Sequence, residues 1–310
     1  MRHRSPVRNR AEYCLALSVL KVLEWLPSVL AHRMARWAVR LFLDWPVPKL
    51  RRTAERNLSM ALPELNAAQR RRTIDAVFAS VARTIVTFAR FPRINRGNVA
   101  QWIRCEGGEY FTAALERGRG VLFATAHLGN WELSAFAHGL ITGPMNVLVR
   151  PLDNPLIDAM VERRRGLSGN RIIAKQDFAR PILKALAANE AVGILIDQNA
   201  SLDGGVFVDF FGVPACAGAG FAKIAARSGA AVIPGFALWS EEEQRYVLRF
   251  YPPVEMTGDS TVDTQTLQSR LEQVIRSYPD QWLWLHRRWK TRPPGEPSLY
   301  APSPEATSGV

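Results

Sequence analysis

The sequence predicts an α/β protein, a mostly parallel central sheet flanked by helices and preceded by a helical N-terminal region. Three observations carry this. From about residue 95 onward, short apolar runs bounded by glycine, proline or polar residues alternate with helix-length segments, the pattern of a parallel sheet covered on both faces. The first hundred residues lack that alternation and read as consecutive basic helices. Several apolar runs end in polar, chemically useful residues, which places them at the carboxyl ends of strands, where open α/β sheets gather ligands.

The elements follow in order. Residues 13–27 are apolar with basic flanks, but Lys21, Glu24 and Pro27 interrupt them. A spanning helix needs about 20 apolar residues, and a signal peptide would want an unbroken apolar core with a small-residue cleavage site. A marginal span over 13–30 stays open, and the arginines before it would then keep the N-terminus cytoplasmic. Residues 29–43 set Arg33, Arg36 and Arg40 at helical spacing among Leu, Met, Trp, Val and Phe. A basic face beside a Trp/Leu/Phe face marks a helix lying in the lipid interface; the plainer reading is a core-packing helix with a solvated arginine stripe. Pro46 and Pro48 break this helix, a basic one resumes over 50–61, and 67–90 is long, with Ile74, Val77, Phe78, Val81, Ile85 and Phe88 in register. Strands are expected at 119–126, 145–149, 192–197, 231–238 and 245–251, and helices at 131–140, 154–165, 178–189, 217–229 and 262–278. The chain thus divides into a membrane-associating helical region (1–94), an α/β domain (95–292) and a loose tail rich in Pro, Ser and Gly (293–310).

Composition bounds the function. A chain of 310 residues with 47% hydrophobic content builds a real core, which excludes wholesale disorder. Cys14, Cys105 and Cys216 are odd in number and far apart, so they form neither a disulfide framework nor a zinc pattern and suit a reducing compartment. The net charge of +12 is uneven: residues 1–100 hold 19 Lys/Arg against 6 Asp/Glu, and the remainder is nearly balanced. Such a basic third fits nucleic acid or an anionic membrane surface. Its apolar content favours the membrane, and no nucleic acid partner is expected.

The densest chemistry lies at His127-Leu128-Gly129-Asn130-Trp131-Glu132, directly after the strand run Val121-Leu122-Phe123-Ala124-Thr125. An imidazole held by a carboxylate is a good general base for an alcohol. The plainer reading is a strand-end histidine followed by a helix-capping glutamate, but Gly129 permits a tight turn and Asn130 a cap. Arg150 ends the next strand and suits a phosphate or carboxylate. Arg163-Arg164-Arg165 ends a helix, where cations also complement the helix dipole. Asp197 and Gln198 end another apolar strand, and Asp197 is read as orienting a side chain or binding an arginine. The aromatic stretch Phe207–Phe211 reads as packing or an acyl-channel wall, and the glycines at 218 and 220 match neither a phosphate loop nor a dinucleotide fingerprint. Trp282-Leu283-Trp284-Leu285-His286-Arg287-Arg288-Trp289-Lys290 suits core packing, a lipid interface or nucleic acid contact.

Taken in order, these motifs resemble the bacterial lipid A biosynthesis acyltransferase family, within the lysophospholipid acyltransferase superfamily. The resemblance runs from Arg56-Asn57-Leu58 and Leu62-Pro63-Glu64 through the His127–Glu132 motif, Arg150-Pro151 with Asn154-Pro155, Asp197-Gln198 and Phe210-Phe211-Gly212, to Trp284 through Pro293. It implies a glycerolipid acyltransferase-like fold and acyl transfer from a thioester, on the phosphopantetheine of acyl carrier protein or on CoA, to a hydroxyl of a lipid acceptor. His127 would be the base and Glu132 its acidic partner; Arg150, Arg165 (or Arg164, one residue away), Asp197 and Gln198 would meet substrate. No serine or cysteine sits in a nucleophile elbow, so direct transfer without an acyl-enzyme is expected, with no metal and no cofactor beyond the donor's own carrier. The resemblance implies the cytoplasmic face of a bacterial inner membrane. Val149, Asn199 and Cys216 to Gly218 depart from the family's usual residues and bear on acceptor and chain-length specificity. A lysophospholipid or phosphatidylinositol mannoside is the alternative acceptor, and a non-catalytic basic membrane- or nucleic-acid-binding protein the alternative class.

Overall fold

A computed structural model describes residues 5–175 and 178–301. Four helices lead the chain: α1 (Pro6–Trp25), α2 (Ser28–Asp44), α3 (Pro48–Ala61) and α4 (Ala67–Ala89). Pro27 separates the first two, and Asn66 caps the fourth through a reciprocal capping box with Gln69. None of these or later helices, among the described residues, is long and apolar enough to cross a membrane. In place of the marginal span over 13–30 stand two helices, α1 and α2, that meet at the proline.

The α/β part runs β1 (Ile103–Glu106), α5 (Gly108–Glu116), β2 (Val121–Thr125), α6 (Trp131–Ile141), β3 (Met145–Val149), α7 (Pro155–Gly166), β4 (Arg171–Ala174), α8 (Ala179–Ala187), β5 (Ala191–Leu195), β6 (Gly205–Phe210), β7 (Val213–Gly218), α9 (Gly220–Ser228), β8 (Ala231–Ser240), β9 (Arg245–Phe250) and α10 (Ser260–Ser277). Seven strands form one sheet in the order β1-β9-β8-β2-β5-β3-β4. Every neighbouring pair is parallel except β8 and β9. The strand β2 lies mid-sheet, and its residues are apolar on both faces. Val121 and Phe123 pack towards α5 and α6, whereas Leu122 and Ala124 pack towards α8 and α9. That double burial is why the run lacks an alternating pattern.

The sheet contains more strands than the sequence suggests. β1 and β4 are four-residue edge strands, too short to signal themselves. β6 and β7 form a separate antiparallel hairpin. Residues 217 and 218, expected to open a helix, instead end β7; its small residues carry no β-branched signal, and α9 starts only at Gly220.

The N-terminal helices share the core rather than standing apart. Leu58, Ile74 and Phe78 join Phe210, Phe236, Trp282, Trp284 and Trp289 in one buried cluster. The tryptophans of the 282–290 segment are thus core residues, not a lipid or nucleic acid face. The tail is anchored as far as Ala301: the Tyr300 hydroxyl donates to Asn57 Oδ1 at 2.7 Å, and Asn57 Nδ2 donates to the Trp284 and His286 carbonyls. Residues 302–310 of the expected loose tail lie outside the described residues. In α2 the small residues Ala31 and Ala35 face inward with Ala82, Val86 and Ala89 of α4. Leu43 is buried as well, whereas Leu30, Trp37, Leu41 and Phe42 are exposed.

Candidate active site

The site is built where β2 and its neighbour β5 run out of sheet. Their parallel register pairs Thr125 with Leu195, and the Ile196 amide donates to the Thr125 carbonyl. Two residues further along each strand stand His127 and Asp197. The imidazole Nδ1 lies 2.9 Å from Asp197 Oδ1, and the His127 amide donates to Oδ2 at 3.0 Å. The Trp282 indole Nε1 also donates to Oδ2, at 2.9 Å. Asp197 is 3% exposed, so every bond to it is made away from water. Burial works against its charge, but the His127 ring, the indole and the amide outweigh that and hold the carboxyl well below the usual range. Burial likewise pulls His127 down, but Asp197 and, at longer range, Glu132 raise it above its ordinary value. An ionised Asp197 makes Nδ1 the protonated nitrogen and leaves Nε2 as the free acceptor.

The turn that presents His127 depends on Gly129. Its φ of +62° is left-handed, and a Cβ there would lie 2.0 Å from the Ala237 carbonyl oxygen. The Gly129 amide donates to Gln281 O, and the Leu283 amide donates to His127 O, which ties the turn to the C-terminal segment. Asn130 then caps α6, its Oδ1 accepting from the Leu133 amide.

Glu132, expected to hold the imidazole, does not. It sits in the first turn of α6 and faces α7, where Arg165 Nε and Nη2 donate to its two oxygens at 2.8 and 2.6 Å. The carboxylate bonded to His127 is that of Asp197, and Glu132 acts on the ring only through space. Arg164, the alternative to Arg165, points elsewhere. It is buried, with Nη1 donating to Ala89 O at 2.7 Å and Nη2 lying 3.3 Å from Glu24 of α1. It braces α7 against the N-terminal helices and does not line the site.

His127, Glu132, Arg150, Arg165 and Gln198 all line one cavity of about 960 Å³, and Asp197 is sealed behind His127. One arm runs between the sheet and α6, walled by Phe123, Phe136, Met145, Val147 and Phe250. Buried His138 borders this arm, packed edge-on to Phe111 and Phe123, and burial lowers it to about 4, so it is neutral. The opposite wall carries Phe178, Phe221, Lys175 and Lys223. This sets an imidazole, bonded to a buried carboxylate, on a cavity lined by both aromatic and cationic side chains. Among the described residues, no group of His, Cys, Asp and Glu is placed to hold a metal ion.

The family model of the bacterial lipid A biosynthesis acyltransferases matches residues 2–291. The chain belongs to that family. It is 28% identical over 289 residues to the lipid A biosynthesis lauroyltransferase of Escherichia coli K12, covering 92% of this chain and 94% of the relative. To the lipid A biosynthesis palmitoleoyltransferase of the same organism it is 32% identical over 251 residues, 80% and 81% of the two chains. A phosphatidylinositol mannoside acyltransferase of Mycolicibacterium smegmatis is 30% identical over 222 residues, 70% and 72%.

Two parts of this lipid A-type acyltransferase escape sequence reasoning. Trp282 meets Asp197 from 85 positions away, and its segment reads equally as packing. His286 accepts from the Asn199 amide at 3.1 Å, while Asn199 itself bonds to Thr291. Burial depresses His286, which suits a neutral acceptor. The turn carrying Asp197 is therefore sewn to the C-terminal segment, and no local pattern announces it.

Proposed function

We propose that this acyltransferase moves a fatty acyl chain from a thioester, carried by acyl carrier protein, to a hydroxyl of a lipid A precursor, with His127 as general base. The supporting observation is the His127–Asp197 contact at the edge of a cavity with an apolar arm. The acceptor oxygen attacks the thioester carbonyl as its proton passes to His127 Nε2. The carbon–oxygen bond forms, the carbon–sulfur bond breaks, and the imidazolium returns the proton to the departing thiolate. Asp197 stays ionised, fixes the tautomer and stabilises the imidazolium. Glu132 holds Arg165 and adds negative potential beside the ring. A positioned base contributes roughly 10²–10⁴-fold. The aromatic arm suits the acyl chain, and the chemistry calls for no cofactor other than the donor's carrier.

The enzyme would work at the cytoplasmic face of the inner membrane. The support is the outer face of α2, where Leu30, Trp37, Leu41 and Phe42 are exposed beside exposed Arg33 and Arg36. An exposed apolar stripe flanked by cations suits an anionic lipid surface. The likeness to the mycobacterial enzyme supports a second reading, the same chemistry on a phosphatidylinositol mannoside. His127→Ala should abolish transfer in an assay supplied with acyl carrier protein thioester and each acceptor, while circular dichroism reports an intact fold. Near-normal turnover in that variant would end the general-base assignment.

A further inference from the structure

The cavity must hold two substrates, and its cations are unevenly engaged. Arg150, Arg165, Lys175 and Lys223 line it, together with the carboxylates Glu132 and Asp153. Arg165 is matched by Glu132 through two hydrogen bonds. Arg150, Lys175 and Lys223 have no ion-pair partner among the described residues.

All three line the same cavity. Arg150 follows β3, Lys175 follows the adjacent parallel strand β4, and the Lys175 amide donates to Val149 O at 2.9 Å. Lys223 arrives from the far side, on α9. A Cβ at Gly220 would lie 3.5 Å from Phe178 Cζ, so the start of α9 packs beside Phe178. Lys175 stands three residues before Phe178 in the chain, and Lys223 one helical turn after Gly220. No side chain caps α9, and Gly218 and Gly220 border the cavity there. An uncapped helix start presents unbonded amides and partial positive charge to an anion.

We infer that Arg150, Lys175, Lys223 and the start of α9 form a subsite for a phosphate ester at the β3–β4 side of the cavity. The inference rests on the acyltransferase reading and adds where the substrate's phosphate sits. In the strand order β2-β5-β3-β4, Arg150 lies two strands and Lys175 three strands from His127. At about 4.8 Å per strand, the phosphate would stand roughly 10–15 Å from the reacting carbon. The subsite therefore selects substrates by the span between phosphate and reacting atom. Two sources carry the same group: the phosphopantetheine of the donor and a phosphate on the lipid acceptor.

The test is the Lys175→Gln/Lys223→Gln double variant of the full chain. Donor arms compare acyl-phosphopantetheine with acyl-pantetheine, and acceptor arms compare a phosphorylated lipid with its dephosphorylated form. KM for one phosphate-bearing substrate should rise tenfold or more, with kcat within twofold and the phosphate-free analogue unaffected. The arm that responds names the source. Lys175→Arg/Lys223→Arg, which keeps the charge, should stay near the parent KM. Unchanged KM for both phosphate-bearing substrates, or equal losses on the phosphate-free analogues, overturns the subsite. If the unmodified chain transfers no acyl group at all, the acyltransferase reading falls on its own. Calorimetry with pyrophosphate then decides the subsite: binding at least tenfold weaker in the double glutamine variant upholds it, and equal or absent binding in both refutes it.

Discussion

Among the described residues, the Nδ1 of His127 has one hydrogen-bond partner, Asp197, and its removal is measurable. Asp197 raises the imidazole above its ordinary value, and the proposed mechanism uses the neutral ring. Activity should therefore rise with pH through a midpoint above 6.5. Asp197→Asn removes the main raising influence and the tautomer control together. We expect kcat/KM to fall by roughly 10²–10⁴ and the acidic limb to move to lower pH. Glu132→Gln acts only through space on the ring, so its limb should move less than that of Asp197→Asn. A larger shift from the glutamine variant, read from pH–rate profiles, would contradict the assignment. At this scale the residue types were legible from sequence, since His127, Glu132, Arg150, Arg165, Asp197 and Gln198 all gather at one sheet edge. Their pairing was not. Sequence spacing puts Glu132 five positions from His127, yet the turn at Gly129 and Asn130 sends it onto α6 and towards α7.

Elements decide how that edge is held. The turn after β2 fits only because residue 129 lacks a side chain. Gly129→Ala forces a left-handed alanine against the Ala237 carbonyl, a backbone strain of about 1–3 kcal/mol before the clash itself is counted. Thermal denaturation should show a Tm lower by several degrees, with transfer lost alongside; an unchanged Tm would mean that the turn is looser than it stands. The second helix offers the other element-level test. Leu30→Ser, Trp37→Ser and Leu41→Ser together change exposed residues only. Co-sedimentation with vesicles containing anionic lipid should drop at least tenfold while the Tm holds. Equal binding would leave the apolar stripe without a lipid partner. The helices, the long apolar strands and the breaks at proline are readable because periodicity is local. The edge strands β1 and β4 and the hairpin β6–β7 are not, because neighbours stabilise them more than their own pattern does.

Over the whole molecule, the N-terminal helices and the C-terminal segment close one core from opposite ends of the chain. Deleting residues 1–61 would uncover the cluster around Trp282, Trp284 and Phe236 and remove Asn57 from the Trp284 and His286 carbonyls. Expressed alone, the remainder should be insoluble or bind a hydrophobic dye strongly; a soluble, cooperatively melting product would show that the α/β part stands by itself. The uneven basicity of the chain also belongs to this scale, since the charge and the exposed apolar stripe occupy the same helices. By itself the sequence determined the layer architecture, the largely parallel sheet and which histidine stands at a strand's carboxyl end, because strand and helix periods and strand-end residues are written in neighbouring positions. Only the tertiary structure decided which carboxylate braces the histidine, which arginine remains in the site and where the tryptophans go. Those outcomes depend on strand order and helix docking, which bring together residues 70 to 85 positions apart, and a linear pattern carries no record of which strands become neighbours.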